Sequence, residues 1–368
     1  MDSANFETII HTDPVPLIVV RGNHREIGRQ IGEAVRPIIQ HSVESAKMLV
    51  QSAEHKLHLT LKGARIQALK YSPFIQERYP SYYDEILGLA QGGDVPLEDL
   101  LVLNALEAVT TDALHLTKCT SLAVNEECTE NKHVLVGHNE DWLPDDEPDV
   151  YLVHISSDDE PPFLAMTYGG LLPNIGFNAY GIAQCCDTVY AKDSRIGIPR
   201  VIVSRGILAA HTPGGAIRHT LAAQRAAGYN HLIAHTSGEL YNVEVSAHRF
   251  AVLNSNDGRI VHTNHYLETQ MRAIENEPDE LIETRVRYAR ANRLLRQSNA
   301  HTLDSLKAVL RDHVNYPESI CNHAVQYARP MDRKKTICSL IIDLTTLEMH
   351  LTWGTPCINE YHTYSLNA

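Results

Sequence analysis

An α+β layered fold is the class this sequence predicts, and two observations predict it. The character of the chain changes at Cys119: the first third carries apolar residues at helical spacing, while the residues from Cys119 onward form short runs that read as strands. Those strands fall into two groups, with helices between and after them, which is the pattern of layers segregated by element type.

Residues 16–20 read as a short opening strand. A helix over 26–50 follows from Ile27, Ile31, Ala34, Ile38 and Ile39 at helical spacing, with Pro37 as its kink. Gly28 and Gly32 stand one helical turn apart, a pair that in such a helix signals close packing. Helices over 73–89 and 97–109 are separated by the turn Gly92-Gly93-Asp94, and Pro96 opens the second of them. From Cys119, strands are expected over 119–124, 133–138, 150–155 and 163–167, parted by polar turns such as Asn125-Glu126-Glu127. Helices over 200–210 and 215–227 come next, the latter after the start signal Thr212-Pro213. A second strand group covers 231–235, 240–245, 250–253 and 259–263. Helices over 279–297 and 303–312 precede a closing hairpin of 337–344 with 349–353. No internal repeat and no low-complexity linker interrupts this order, so one continuous domain is expected.

The 368 residues, 43% hydrophobic and 21% charged, suffice for a large core without covalent staples. A formal net charge of −13, with Arg333-Lys334-Lys335 the densest basic patch, argues against a nucleic-acid partner. The N-terminal stretch lacks a basic segment followed by an apolar core, and no run approaches the ~18 to 20 apolar residues that span a bilayer. Seven cysteines without framework spacing give no disulfide expectation. Cytoplasmic residence, no membrane and no cofactor are the expectations, with self-association left open. A catalytic metal is not expected either. His231 and His235 are four apart in a strand, His262 and His265 lack the Glu of a metal-binding helix, and Cys185 and Cys186 point to opposite strand faces.

Chemistry concentrates in Lys118-Cys119-Thr120-Ser121-Leu122-Ala123-Val124, followed at hairpin distance by Gly137-His138-Asn139-Glu140-Asp141-Trp142. A lone Cys is usually a buried small hydrophobe, and a polar run beside a strand is often a turn. Together and in this order they resemble the isopenicillin N acyltransferase-like family of N-terminal-nucleophile hydrolases, which includes β-alanyl-dopamine hydrolase and bacterial amidases. In that family a Cys followed by Thr and Ser or Thr opens a strand hairpin, whose return strand ends in Gly-Gln/His-Asn-x-Asp-Trp/Phe. The family's His-Thr-Asn-His motif stands here as His262-Thr263-Asn264-His265, after Asp257-Gly258-Arg259. Arg333-Lys334-Lys335-Thr336-Ile337 resembles its Arg-x-x-Thr-Leu segment. The resemblance runs over about residues 17–355.

The resemblance implies a four-layer αββα sandwich, with two antiparallel sheets face to face between helical layers. It also implies a zymogen cut at Lys118–Cys119, so that residues 1–118 and 119–368 become two chains of one domain. Cys119 is then the nucleophile. A thiol near its ordinary pKa of about 8.5 needs a base, and the α-amino group freed by the cut, at about 7.7 to 8.0, supplies one on the same residue. The expected reaction is hydrolysis of a small-molecule amide through an acyl thioester, with transfer of the acyl group to an amine as the alternative. The family match gives Asn264 the oxyanion, Asp141 the new ammonium, Ser121 a place beside the nucleophile, and Arg333 the substrate. Lys118 stands where the best-known member has Gly, which favours an inactive binding protein with the same fold as the non-enzymatic alternative. A hydrolase that works uncut with a His base such as His265 is the enzymatic one.

Overall fold

The structure, a computed structural model, describes residues 9–11, 14–52, 59–106, 118–276, 281–325 and 333–367. The N-terminal part contains β1 (Ile9–His11), β2 (Leu17–Gly22), α1 (His24–Ala34), α2 (Arg36–Ser52), α3 (Leu61–Leu69), α4 (Ser72–Arg78), α5 (Pro80–Gly93) and α6 (Leu97–Asn104). Then come β3 (Lys118–Val124), β4 (Leu135–Trp142), β5 (Val150–Ser157), β6 (Phe163–Tyr168), β7 (Ile175–Asn178), β8 (Ile182–Thr188), α7 (Arg200–Ile207) and α8 (Pro213–Thr220). The chain closes with β9 (Tyr229–His235), β10 (Leu240–Val245), β11 (Phe250–Asn254), β12 (Arg259–His262), α9 (Thr269–Arg272), α10 (Ile282–Leu295), α11 (Leu303–Leu310), β13 (Lys335–Asp343), β14 (Glu348–Trp353) and β15 (His362–Ser365).

The strands make a nine-stranded sheet in the order β1-β2-β5-β6-β7-β8-β9-β10-β11 and a six-stranded sheet in the order β12-β3-β4-β13-β14-β15. They pack face to face where β3 meets β8 and β9 and where β10 meets β12. Helices α1, α7 and α8 lie on the larger sheet, and α10 and α11 on the smaller. The result is the four-layer αββα sandwich expected. One detail differs from the expectation of two antiparallel sheets: β2 and β5 pair in parallel, Leu17 opposite Leu152 through Gly22 opposite Ser157. The whole helical N-terminal segment lies between them, and so long a crossover is what parallel pairing requires.

Local chemistry explains several helix boundaries. Asn23 caps α1 by accepting from the Glu26 N–H, and the Glu26 side chain returns the bond, a complete capping box. The helix expected over 26–50 is two helices, broken at Val35, and Pro37 falls in the first turn of the second, where its missing N–H costs nothing. Pro80 likewise starts α5 and divides the helix expected over 73–89. Asp94 ends α5 in the left-handed conformation at φ 54°. Residues 107–109 of the helix expected over 97–109 lie outside the described residues. The helix expected over 215–227 stops at Thr220, with Thr212 capping its start. Among the described residues no helix is long and apolar enough to cross a membrane.

Gly28 and Gly32 do pack closely, against α5. A Cβ on Gly28 would lie 2.0 Å from the Glu85 carbonyl oxygen, and one on Gly32 would lie 2.7 Å from the Gly93 nitrogen. Gly88 and Gly92 return the contact to the backbone of α1 at 2.2 and 2.3 Å. Backbone on both sides cannot yield as a side chain could. Gly28→Ala should therefore lower stability by about 1–3 kcal/mol, read as a fall in the urea midpoint; an unchanged midpoint would mean that the two helices are free to part.

Candidate active site

The register of the central hairpin decides which motif residues meet. β3 and β4 pair antiparallel with Cys119 opposite Glu140, Ser121 opposite His138, Thr120 opposite Asn139 and Lys118 opposite Asp141. The strand expected over 133–138 thus runs on to Trp142, and Asn139-Glu140-Asp141 lie within it rather than in a turn. Alternation then sorts the polar residues onto two faces. Cys119, Ser121, His138 and Glu140 face the larger sheet. Thr120, Asn139 and Asp141 face the helices.

On the inner face a buried polar chain starts at Cys119. The Cys119 thiol donates to Glu140 Oε2 at 3.6 Å, and the same oxygen lies 3.0 Å from His138 Nε2. His138 Nδ1 is 2.9 Å from the Ser121 hydroxyl, which donates to Asp187 of β8 at 2.9 Å. Asn230 donates to the other Asp187 oxygen at 3.1 Å. Burial, and then the carboxylates of Glu140, Asp187 and Asp141, push the Cys119 thiol well above its ordinary pKa. The thiol is therefore protonated at neutral pH.

The backbone of Cys119 is held separately, because β12 pairs with β3 only from Ser121 onward. Beyond that point side chains replace the ladder. Asn264, just past the end of β12, accepts from the Cys119 N–H at 2.8 Å and donates its side-chain amide to the Thr188 carbonyl at 3.1 Å. Arg287 of α10, 1% exposed, donates to the Cys119 carbonyl, to Thr120 Oγ1 at 3.0 Å and to Asn264 Oδ1 at 2.8 Å. Sequence reasoning missed Arg287. It stands in a helix with three other arginines, and no pattern in the sequence separates the buried one. Glu140 was inside the motif, and the period of two from Cys119 across the hairpin could have found it.

Asp141, expected to hold the new ammonium, is fully buried on the helical face. Thr336 Oγ1 donates to its Oδ1 at 2.6 Å, and its strand partner is Lys118, so it flanks the Lys118–Cys119 peptide. Burial raises its pKa from the ordinary 3.8 to about 7, against the pull of Arg287. A carboxyl raised in the folded state favours folding most below about pH 4, and that contribution is lost as pH climbs toward about 7. Asp141→Asn, made in a Cys119→Ala chain, should therefore raise Tm at pH 8 and leave it unchanged at pH 4. Equal shifts at both pH values would contradict the buried charge.

A cavity opens against the thiol, lined by Cys119, Glu140 and Thr188 and by apolar residues including Leu103, Leu143, Leu171 and Val201. Arg200 and Tyr229 lie in the same wall, the guanidinium 5.2 Å from the Tyr229 ring centroid. Burial lowers the Arg200 pKa to about 9, which leaves it charged at neutral pH. Arg333 is half-buried two residues before β13 and does not belong to this lining. Lys118, the residue before Cys119, is held by Glu318 at 2.8 Å and Glu283 at 3.6 Å. His265 is bound between Thr263 and Thr284, each at 3.2 Å, and burial drops its pKa to about 2. So weak a base is unsuited to the uncut Cys–His alternative.

A family model described as acyl-coenzyme A:6-aminopenicillanic acid acyl-transferase matches residues 128–357, a span that begins downstream of Cys119. The acyl-coenzyme A:6-aminopenicillanic-acid-acyltransferase 40 kDa form of Emericella nidulans is 24% identical over 343 residues, 92% of each chain. The β-alanyl-dopamine/carcinine hydrolase of Drosophila melanogaster is 27% identical over 224 residues, 55% of this chain and 56% of that one. Among solved structures, an N-acylethanolamine-hydrolyzing acid amidase ortholog of Caenorhabditis elegans gives a TM-score of 0.45 at 13% identity, covering 62% of this chain and 93% of that one. A conjugated bile acid hydrolase of Clostridium perfringens gives 0.46 at 13%, covering 67% and 96%.

Proposed function

This chain belongs to the acyl-coenzyme A:6-aminopenicillanic acid acyl-transferase family, and we propose that within it the chain hydrolyses a small-molecule amide through Cys119, freed as an N-terminal residue by self-cleavage. The observation that carries this reading is the independent clamping of the two ends of Cys119. Its thiol faces the cavity beside Glu140, while its backbone nitrogen is held by Asn264 and its carbonyl by Arg287.

In the uncut chain Glu140 is the acceptor at hand for the thiol proton. The sulfur attacks the Lys118 carbonyl carbon, the C–N bond breaks, and the Cys119 nitrogen leaves as an amine. Water then opens the thioester, giving a carboxylate on Lys118 and a free thiol. The new amine remains where Asn264 Oδ1 holds the nitrogen, within reach of its own side chain. It takes the thiol proton for turnover. The substrate amide is attacked, its amine leaves with a proton, and water releases the acid. The Asn264 side-chain NH2 carries two hydrogens and gives one to Thr188, so the second is available to a tetrahedral oxyanion. Arg200 in the cavity wall suits a substrate with an anionic or hydrogen-bond-accepting end. Hydrolysis is preferred over acyl transfer because water is always present, whereas an amine acceptor needs a pocket of its own.

The experiment is an intact-mass measurement on purified protein followed by a screen of small amides for released amine. Fragments 1–118 and 119–368 that stay associated, and an amide turned over by them, are the expected results. A chain that is whole and fully active would defeat the cleavage mechanism. Acyl product that shifts wholly to an added amine would assign the chain to transfer instead.

A further inference from the structure

Away from the cavity, four side chains from three separate stretches converge on one point. His313 follows α11, Cys321 and His323 lie between α11 and β13, and Cys357 lies between β14 and β15. Their ligating atoms all fall within 4.8 Å of one another. His323 Nε2 is 3.1 Å from His313 Nε2, 3.5 Å from Cys321 Sγ and 3.6 Å from Cys357 Sγ. One imidazole nitrogen makes a single hydrogen bond, as donor or as acceptor. Three partners on the same nitrogen therefore exceed what hydrogen bonding explains.

A tetrahedral cation explains all three distances at once. With Zn–N of about 2.0–2.1 Å and Zn–S of about 2.3 Å, tetrahedral geometry sets N to N at about 3.3 Å and N to S at about 3.5 Å. We propose that His313, Cys321, His323 and Cys357 form a structural zinc site. Two thiolates and two imidazoles are a soft donor set that selects zinc over magnesium or calcium, and four protein ligands close the coordination sphere. Binding displaces the two thiol protons to solvent and changes no oxidation state. His313 is exposed and Cys321 buried, so the metal enters from the surface side.

The site ties down the stretch that braces the central hairpin. Asn322, between two of the ligands, donates its N–H to Thr336 Oγ1 at 2.9 Å, and Thr336 in turn donates to Asp141. Ile320, one residue before Cys321, accepts from the Asn139 side chain at 2.8 Å, and Glu318 holds Lys118. Without the metal, the stretch from His313 to His323 and the turn bearing Cys357 lose their common anchor.

The test reads metal rather than turnover, so it is independent of the role given to Cys119. The full chain, purified under reducing conditions and dialysed, should carry about one zinc per chain by plasma mass spectrometry. Cobalt exchanged into it should give the visible absorption of tetrahedral thiolate coordination. Cys321→Ser with Cys357→Ser should lose both signals. His313→Ala, a surface change that leaves the core intact, should release zinc to a chelator at least tenfold more readily. A wild-type chain that stays metal-free when supplied with zinc would overturn the site. So would a peptide map showing Cys321 joined to Cys357 as a disulfide, or variants with unchanged metal content.

Discussion

Cys119→Ala should remain one uncut chain of 368 residues with no amide hydrolysis above background, while keeping the fold of the wild type. The proposed mechanism uses the same sulfur twice, first on the Lys118 carbonyl and then on the substrate. Removing it abolishes both steps, whereas loss of an accessory group would only slow them. Stability should change little, because the residue is small and buried at 3% exposure, and its backbone clamps do not involve the side chain. A loss of about 1 kcal/mol or less is expected for so small a truncation. Cys119→Ser should cut slowly, since an alkoxide is harder to form than a thiolate in a pocket that already disfavours negative charge. Intact mass, an amine-release assay and a urea midpoint on one preparation decide the matter. Normal turnover by the Ala variant would require another nucleophile.

The second large effect is expected at Asn264. Asn264→Ala should lower kcat by roughly a hundredfold or more with little change in KM, because a donor to the oxyanion is worth most in the transition state. Self-cleavage passes through its own tetrahedral intermediate and should slow as well. The structure adds a further cost: Asn264 Oδ1 takes bonds from both the Cys119 nitrogen and Arg287, and the variant leaves these buried donors short of an acceptor. A drop in the urea midpoint is therefore expected beside the drop in kcat. If the midpoint falls while kcat per folded molecule stays normal, Asn264 holds the strand and takes no part in the chemistry. Asn264→Asp separates the contributions, since it keeps the acceptor for Cys119 and loses the donor.

The primary structure by itself determined the layers and the two motifs, because both are written in short-range patterns. Apolar spacing marked α1, α10 and the strand groups, and Gly28 with Gly32 announced a helix contact whose partner, the Gly88 to Gly92 face of α5, only the fold supplied. Cys119 and Asn264 are 145 residues apart, and family motifs named them both, but no local rule says that one binds the other's backbone nitrogen. The register of β3 on β4 decided that Glu140, not Asp141, faces the thiol, since a shift of one residue exchanges every side chain between faces. Tertiary structure alone chose Arg287 from the arginines of α10 and Arg200 for the cavity wall, because charge in a sequence carries no mark of burial. It alone also gathered His313, Cys321, His323 and Cys357, whose ligating atoms come from chain stretches that share no spacing motif and meet only in the folded chain.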